Sequence, residues 1–235
     1  MKDGENLFAR AMQVLDAAQT VGLSGIAWSF GGGAVLMRRY RHRLSIGVDM
    51  FLPDPWMLGC LRPRLNEVIA TFTANYVEDA SFLRFFFPEG DVSFIVCRGL
   101  TPEPMQPETI QGRRVPVETS AEILAKKLAH RAASFTARDL FDFAVIASRE
   151  PEALRPVDRF LQARREALLG RLRERDVALR EDFAALDTLE FNPSYEECVE
   201  MLQAALAHLS PPRRVRQDRA RYEILGTIAP RTAWA

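Results

Sequence analysis

Apolar residues follow a helical spacing at the start of the chain, a strand-like pattern next, and a helical spacing again in the second half. The first group consists of Leu7, Ala11, Val14, Leu15 and Ala18. It predicts an amphipathic first helix that covers a sheet and ends near Gly22. Short runs rich in β-branched and aromatic residues predict strands near 26–30, 46–52, 82–88 and 91–98. From Ser120 onward the pattern is nearly all helical.

Two intervening regions complete the predicted organisation. Pro63 is placed to begin a helix near 61–75, because proline is favoured in the first turn. Proline and glycine cluster between 99 and 116, which predicts a loop joining two lobes. The sequence therefore predicts an α/β lobe over 1–115, a helical lobe over 116–210 and a basic tail over 211–235.

Composition limits the class of protein. The chain has 235 residues, of which 48% are hydrophobic, and this content is sufficient for a substantial core. Its net charge is zero, so any affinity for RNA depends on local basic patches. Cys60, Cys97 and Cys198 lack the paired spacing of a disulfide framework or a zinc ribbon. With no export signal and no long apolar run, we expect a cytoplasmic protein without a membrane anchor.

The first candidate chemistry lies in a glycine turn and the strand after it. Gly31, Gly32 and Gly33 let backbone N–H groups approach phosphate oxygens at a helix start, although a merely structural tight turn is the alternative. Gly47 and Asp49 are two apart on the next predicted strand and share a face. Asp-x-Asp there would direct two carboxylates at one Mg²⁺, but only Asp49 is present.

Two basic patches suggest contact with phosphates. The first comprises Arg38, Arg39, Arg41 and Arg43, interleaved with Tyr40 and His42 and followed by Ser45. Its position between the glycine turn and Asp49 fits contact with nucleotide phosphate or RNA, and a solvated helix end is the alternative. The second patch comprises Arg213, Arg214, Arg216, Arg219 and Arg221 in the tail.

Lysine and aspartate residues of the helical region supply further candidates. Lys127 and Arg131 are four apart and share a helix face, so they either meet a triphosphate or are simply solvated. Asp139 and Asp142 share a face of the next helix. Thr136 with Asp139 fits a structural N-terminal cap equally well. Asp142 lies on an apolar turn and is predicted to pair with a buried base, Lys127 or Arg131.

These motifs, in this order, resemble the AbiEii/AbiGii toxin family of nucleotidyltransferases, which includes the MenT toxins. The resemblance covers about residues 25–147. It is carried by the glycine turn, the basic stretch, the segment 47–51, the hairpin 82–96, Lys127-Leu128 and the Arg-Asp-x-x-Asp run 138–142. It implies an α+β fold in which a polymerase β-like mixed sheet precedes a mostly helical lobe.

The resemblance also implies roles for individual residues. Catalytic roles fall to Asp49, Lys127, Asp139 and Asp142, and nucleotide binding to Gly31, Gly32, Gly33, Arg43, Ser45, Lys127 and Arg131. The family pattern has aspartate where this chain has Gly47 and Ser93, so a Mg²⁺ or Mn²⁺ ion would bind weakly, through Asp49. Asp91, on the same predicted strand face as Ser93, is a candidate second ligand, especially if a bulge at Gly90 shortens the gap.

The implied reaction is attack of an acceptor hydroxyl on the α-phosphate of an NTP, with loss of pyrophosphate. RNA is the implied acceptor, commonly the 3′ end of tRNA, and protein hydroxyls are another. A cognate antitoxin is the implied partner. Gly47 and Ser93 favour an alternative, an inactive relative that binds nucleotide, RNA or a partner protein. A third alternative is that these positions were changed to make a toxic protein tolerable to its host, although natural divergence is simpler.

Overall fold

A computed structural model describes residues 2–20 and 27–209 of the chain. Its sheet strands are β1 (Ser29–Gly31), β2 (Val48–Leu52), β3 (Tyr76–Glu78), β4 (Phe82–Phe87), β5 (Gly90–Val96), β6 (Met105–Ile110) and β7 (Arg113–Glu118). The seven strands form one sheet in the order β3-β4-β5-β2-β1-β7-β6. The sheet is mixed, because β2 runs parallel to β5 and β1 parallel to β7, while the other neighbours are antiparallel.

Helices surround this sheet and fill most of the second half of the described chain. They are α1 (Lys2–Thr20), α2 (Gly32–Tyr40), α3 (Trp56–Leu61), α4 (Glu67–Ala70), α5 (Ser120–Arg131), α6 (Ala137–Arg149), α7 (Asp158–Glu174), α8 (Asp176–Ala184) and α9 (Tyr195–His208). The predictions of an α+β fold and of a helical second half are confirmed. Strand β7 runs through residue 115, where the sequence predicted a lobe boundary.

The two faces of the central strands have different environments. Val48, Met50 and Leu52 of β2 are buried, as are Val92 and Phe94 of β5. Helix α1 packs against both strands. Because side chains alternate along a strand, the odd-numbered residues of β2 and β5 point to the opposite face. The predicted shared face of residues 47 and 49 is confirmed, and this face forms the candidate site.

The predicted loop over 99–116 is wrong from Met105 onward. Strands β6 and β7 form a regular hairpin there, from Met105↔Glu118 to Ile110↔Arg113. Gln111 and Gly112 have positive φ values of 50° and 75°, as a two-residue hairpin turn requires. The proline of β6 is tolerated because β6 is an edge strand. The hairpin also pairs with the sheet, since Val117 lies opposite Phe30 of β1.

The predicted single helix near 61–75 is also wrong. The segment consists of the end of α3, a 3₁₀ turn at Pro63–Leu65 and the short helix α4. The residue before a proline is disfavoured in the helical region, and Arg62 is accordingly extended, with ψ of 126°. Asn66 then caps α4, its side chain accepting a hydrogen bond from the Ile69 N–H at 3.2 Å.

Several sequence predictions concern the ends of elements. The amphipathic first helix is confirmed, but its predicted end at Gly22 and the first residue of the predicted strand 26–30 lie outside the described residues. The basic tail over 211–235 lies outside them too. Across residues 2–20 and 27–209, no helix combines the length and apolar character needed to cross a membrane.

Candidate active site

A cleft of about 910 Å³ lies over the odd-numbered face of β2 and β5. Its floor is formed by the two strands, one end by the start of α2, and its far wall by α5 and the start of α6. Its volume is within the range of about 300–1,000 Å³ typical of small-molecule sites. Six Lys or Arg side chains and four Asp side chains line it: Arg43, Arg84, Lys126, Lys127, Arg131, Arg138, Asp49, Asp91, Asp139 and Asp187. Cations therefore exceed anions in the lining.

The glycine turn is shaped by close contacts with other side chains. Gly32 has φ of +72°, and a Cβ built on it would lie 2.2 Å from Oδ2 of Asp49. Only glycine fits this position without strain or collision. A Cβ at Gly33 would lie 2.9 Å from both Nη2 of Arg43 and Oγ of Ser45. The turn therefore places Asp49 against the N-terminus of α2, where backbone N–H groups favour anions.

Asp49 lies at the centre of the sheet side of the cleft. In the sheet it is flanked by Gly31 of β1 and Ser93 of β5. Among the described residues its carboxylate has no hydrogen-bond or salt-bridge partner. Burial raises the pKa of the Asp49 carboxyl, Lys127 opposes that rise, and the charge of Asp91 adds to it. The carboxylate is thus partly desolvated, close to other charges, and still able to accept a cation.

The two positions at which the resemblance implies aspartate hold small residues. Gly47 lies one residue before β2, and a Cβ built on it would be 3.3 Å from Oδ1 of Asp91. Ser93 is buried, and its hydroxyl accepts a hydrogen bond from Nε of Arg84 at 2.9 Å. The bulge considered at Gly90 is absent from this hairpin, because β4 and β5 pair without interruption from Phe87↔Gly90 to Phe82↔Ile95.

Lys127 projects from α5 into the cleft and is held by two carboxylates. Its Nζ lies 2.6 Å from Oδ1 of Asp139 and 2.9 Å from Oδ2 of Asp142. Burial would lower the pKa of the Lys127 ammonium, but Asp142 and Asp139 raise it above its ordinary value. An ammonium group has three donors, and these contacts occupy two of them. One N–H therefore remains for a ligand in the cleft.

Asp142 is fully buried and connects three side chains at this wall. It accepts hydrogen bonds from Nε and Nη2 of Arg43 at 2.7 and 2.9 Å, and lies 2.7 Å from Nε2 of His42. Burial would raise the pKa of the Asp142 carboxyl, but Lys127 and Arg43 lower it well below its ordinary value. The predicted pairing with a buried base is confirmed for Lys127, and the contacts from Arg43 and His42 were not predicted.

Asp139 both caps a helix and contacts the cations of the cleft. It forms a reciprocal capping box with Thr136 at the start of α6. The same carboxylate contacts Lys127 and, at 3.3 Å, Nη2 of Arg131. Burial would raise the pKa of the Asp139 carboxyl, but Lys127 and Arg131 lower it. The cap thus fixes the carboxylate that orients the cleft lysine.

The first basic patch is largely paired within the protein. Arg38 and Arg39 contact Glu108 of β6, at 3.8 and 3.2 Å. Arg41 forms a salt bridge with Glu190. Within this patch, Arg43 lines the cleft, where Asp142 already neutralises it. These ion pairs connect α2 to neighbouring elements. The geometry therefore does not favour a continuous phosphate-binding surface along 38–43.

Sequence reasoning missed several residues that line the cleft. Lys126 lies 3.8 Å from the centre of the Phe51 ring and is paired with Glu118. Arg138 is exposed and has no salt bridge among residues 2–20 and 27–209. Arg84 was assigned only to a strand. Arg138 belongs to the Arg-Asp-x-x-Asp run of the family resemblance, and this run is the signal that could have identified it.

No cluster of three or more His, Cys, Asp or Glu side chains suited to a metal occurs in the described part of the chain. The donor chemistry of the sheet side nevertheless fits a hard divalent cation. Asp49 supplies carboxylate oxygens that have no competing partner within the described ranges, and Asp91 supplies others nearby. Mg²⁺ commonly uses one or two carboxylates and completes its coordination with water and substrate phosphate.

Comparisons with known proteins give similar solved structures and one matching family model. Similar solved structures include the nucleotidyltransferase toxin MenT4 from Mycobacterium tuberculosis, at 20% identity and a TM-score of 0.47, with 87% of this chain and 86% of that chain covered. The antibiotic-resistance factor ANT(2″)-Ia matches at 14% identity and a TM-score of 0.48, with coverages of 71% and 96%. Comparison with curated protein sequences gives no match. The model of the family described as nucleotidyl transferase AbiEii toxin, type IV TA system, matches residues 14–219. The chain therefore belongs to the AbiEii family of nucleotidyltransferase toxins.

Proposed function

We propose that this chain transfers a nucleoside monophosphate from an NTP to a hydroxyl group of RNA, with the 3′ end of tRNA as the expected acceptor. The observation that carries the proposal is the arrangement of Asp49 against the glycine turn, across the cleft from Lys127. Lys127 has a free donor and lies in a lining with excess positive charge. Such a lining suits a triphosphate, and phosphoryl transfer depends chiefly on positioning and charge neutralisation.

Each part of the cleft has a role in this reaction. The N-terminus of α2 at Gly32 and Gly33 binds phosphate oxygens through its backbone N–H groups. Lys127 donates to the triphosphate, and Asp139 and Asp142 hold its ammonium in place. Asp142 orients Lys127 rather than the acceptor, because it is fully buried and accepts from three side chains.

Asp49 is the residue that would hold the divalent cation. When bound, Mg²⁺ or Mn²⁺ would supply positive charge at the reacting phosphate and the leaving pyrophosphate. The family's toxin–antitoxin context makes a cognate antitoxin the proposed protein partner.

A non-catalytic function is the second candidate, favoured by Gly47 and Ser93. A single free carboxylate would hold a cation weakly, while the phosphate-binding features of α2 and Lys127 would remain. Such a protein would bind nucleotide, RNA or a partner protein without turnover.

Transfer of label from each α-labelled NTP to total tRNA, with Mg²⁺ or Mn²⁺, tests the proposal. We expect label on RNA with the unsubstituted chain and none with Asp49→Asn. Asp54→Asn is the matched control, because Asp54 lies just after β2 but pairs with Arg98 at the surface, at 2.9 Å. Digestion of the product with nuclease or protease distinguishes RNA from protein acceptors. Nucleotide binding without transfer to either acceptor would favour the second candidate.

A further inference from the structure

The register of β2 and β5 brings Asp91 beside Gly47, the glycine at a position where the resemblance implies aspartate. Asp49 pairs with Ser93 and Val48 with Val92 in this parallel pair. One step further along both strands, Gly47 therefore lies next to Asp91. All four of the odd-numbered residues in this register face the cleft side of the sheet.

The side chain of Asp91 lies where a side chain at position 47 would project. A Cβ built on Gly47 would be 3.3 Å from Oδ1, 3.4 Å from Oδ2 and 3.5 Å from Cγ of Asp91. The whole carboxylate therefore covers the glycine, and a larger residue at 47 would press against it. The missing side chain of one strand makes room for a carboxylate from its neighbour.

Two side chains now contact the Asp91 carboxylate: Ser93, whose hydroxyl donates to Oδ2 at 3.4 Å, and Arg84. Its Nε lies 3.5 Å from Oδ2 of Asp91 and donates to Oγ of Ser93 at 2.9 Å. The Arg84 side chain is 45% exposed, and such ion pairs are weak. A divalent cation can therefore compete with Arg84 for Asp91, while Asp49 has no partner to displace among residues 2–20 and 27–209.

We propose that Asp49 and Asp91 together form the divalent-cation site of this chain, with Asp91 supplying from β5 the carboxylate that β2 lacks at Gly47. This inference rests on the proposed function, because the cation is the one that nucleotidyl transfer would use. It assigns the second ligand to a position outside the Asp-x-Asp pattern. It predicts that the carboxylate can be returned from position 91 to position 47.

Titration of the purified chain with Mn²⁺ alone, followed by the electron paramagnetic resonance signal of free Mn²⁺, tests the assignment without any transfer reaction. We expect saturable binding by the unsubstituted chain. Asp49→Asn and Asp91→Asn should each weaken it at least about 10-fold, since loss of even an outer-shell partner commonly costs that much. Asp54→Asn should bind Mn²⁺ like the unsubstituted chain.

The decisive variant adds Gly47→Asp to Asp91→Asn. It should recover Mn²⁺ affinity to within a few-fold of the original, whereas Gly47→Asn with Asp91→Asn adds the same bulk without charge and should not. Circular dichroism of each variant checks that the fold is retained. Unchanged binding in Asp91→Asn, equal binding by the two double variants, or no saturable binding by the unsubstituted chain would overturn the assignment.

This test separates the cation site from the enzyme activity. The expected Mn²⁺ pattern without label transfer would uphold the site and overturn the transferase. Label transfer that survives Asp91→Asn, together with unchanged Mn²⁺ binding, would uphold the transferase and overturn the site.

Discussion

The helical wall of the cleft holds its charges in fixed pairs, whereas the central carboxylate of the sheet floor has no partner in the described part of the chain. On the wall, Lys127 contacts two carboxylates, and Asp142 is fully buried among three cationic or polar side chains. On the floor, Asp49 has no salt bridge among the described residues, and Asp91 is paired with a half-exposed arginine. The comparison suggests that the wall is part of the folded core, while the floor is adapted to receive charge from a ligand.

The largest expected effect is the loss of stability on substitution of Asp142 in the wall. Asp142→Asn would leave Lys127 and Arg43 buried without their shared countercharge. Removing one member of a buried ion pair costs about 3–5 kcal/mol. Urea unfolding should show a loss of this size, and Asp54→Asn at the surface should change the unfolding free energy by less than about 0.5 kcal/mol. Equal stability of the two variants would mean that the wall is not a structural unit.

The wall also predicts how this stabilisation depends on pH. The pKa values of Asp139 and Asp142 are lowered, so their contribution is fully present above the ordinary aspartate pKa of about 4 and is lost as pH falls through the lowered values. The pKa of Lys127 is raised, so its contribution persists up to the ordinary lysine value of about 10. The stability difference between the unsubstituted chain and Asp142→Asn should therefore stay constant between about pH 5 and 9 and narrow below about pH 4. A difference that instead disappears between pH 5 and 9 would contradict this account.

A smaller loss of stability is expected at the junction of wall and floor, at Gly32. Gly32→Ala places a Cβ on a residue with φ of +72°, within 2.2 Å of Oδ2 of Asp49. Backbone strain of this kind costs about 1–3 kcal/mol, and displacement of Asp49 should weaken Mn²⁺ binding as well. Gly59→Ala in α3 is the matched control, because a Cβ there meets nothing within 4 Å and should stabilise slightly. Thermal unfolding and Mn²⁺ titration of both variants check this, and equal behaviour would contradict it.

How much of this arrangement could be predicted depended on sequence distance. That residues 47 and 49 share a face follows from strand periodicity. That Asp142 pairs with Lys127 follows from the position of an acidic residue on an apolar helix turn, where it needs a basic partner. Contacts of Asp142 with His42 and Arg43 join residues about a hundred positions apart, and no local pattern encodes them. The approach of Asp91 to Gly47 depends on the register of two strands that are separated in sequence.

The errors in the fold have equally specific causes. The proline and glycine residues between 99 and 116 indicated a loop, but one proline lies on an edge strand and one glycine forms a hairpin turn. The apolar spacing near 61–75 indicated one helix, yet Pro63 and the Asn66 cap divide the segment. In both places the residues that interrupt helices and strands were recognised, but they were assigned to the wrong kind of element.

The floor should respond to loss of its central charge in the opposite way to the wall. Burial raises the pKa of Asp49, so its ionised form disfavours the folded state near neutral pH. Asp49→Asn should therefore leave the unfolding free energy unchanged or raise it, while abolishing label transfer. Urea unfolding in the absence of divalent cation measures the first effect. A stability loss as large as that of Asp142→Asn would remove the distinction between wall and floor.

The smallest expected effect concerns the arginine that now contacts Asp91. Arg84→Gln removes a cation that competes with a bound metal, and an ion pair of this exposure contributes about 0–1 kcal/mol. Mn²⁺ should therefore bind up to about 5-fold more tightly, with the unfolding free energy changed by less than about 0.5 kcal/mol. Arg64→Gln is the control. Arg64 pairs with Glu78 of β3 and lies outside the cleft lining, so this substitution removes the same charge away from the cleft. Weaker Mn²⁺ binding in Arg84→Gln would mean that Arg84 positions Asp91 for the cation instead of competing with it, and the floor would then depend on internal pairing as the wall does.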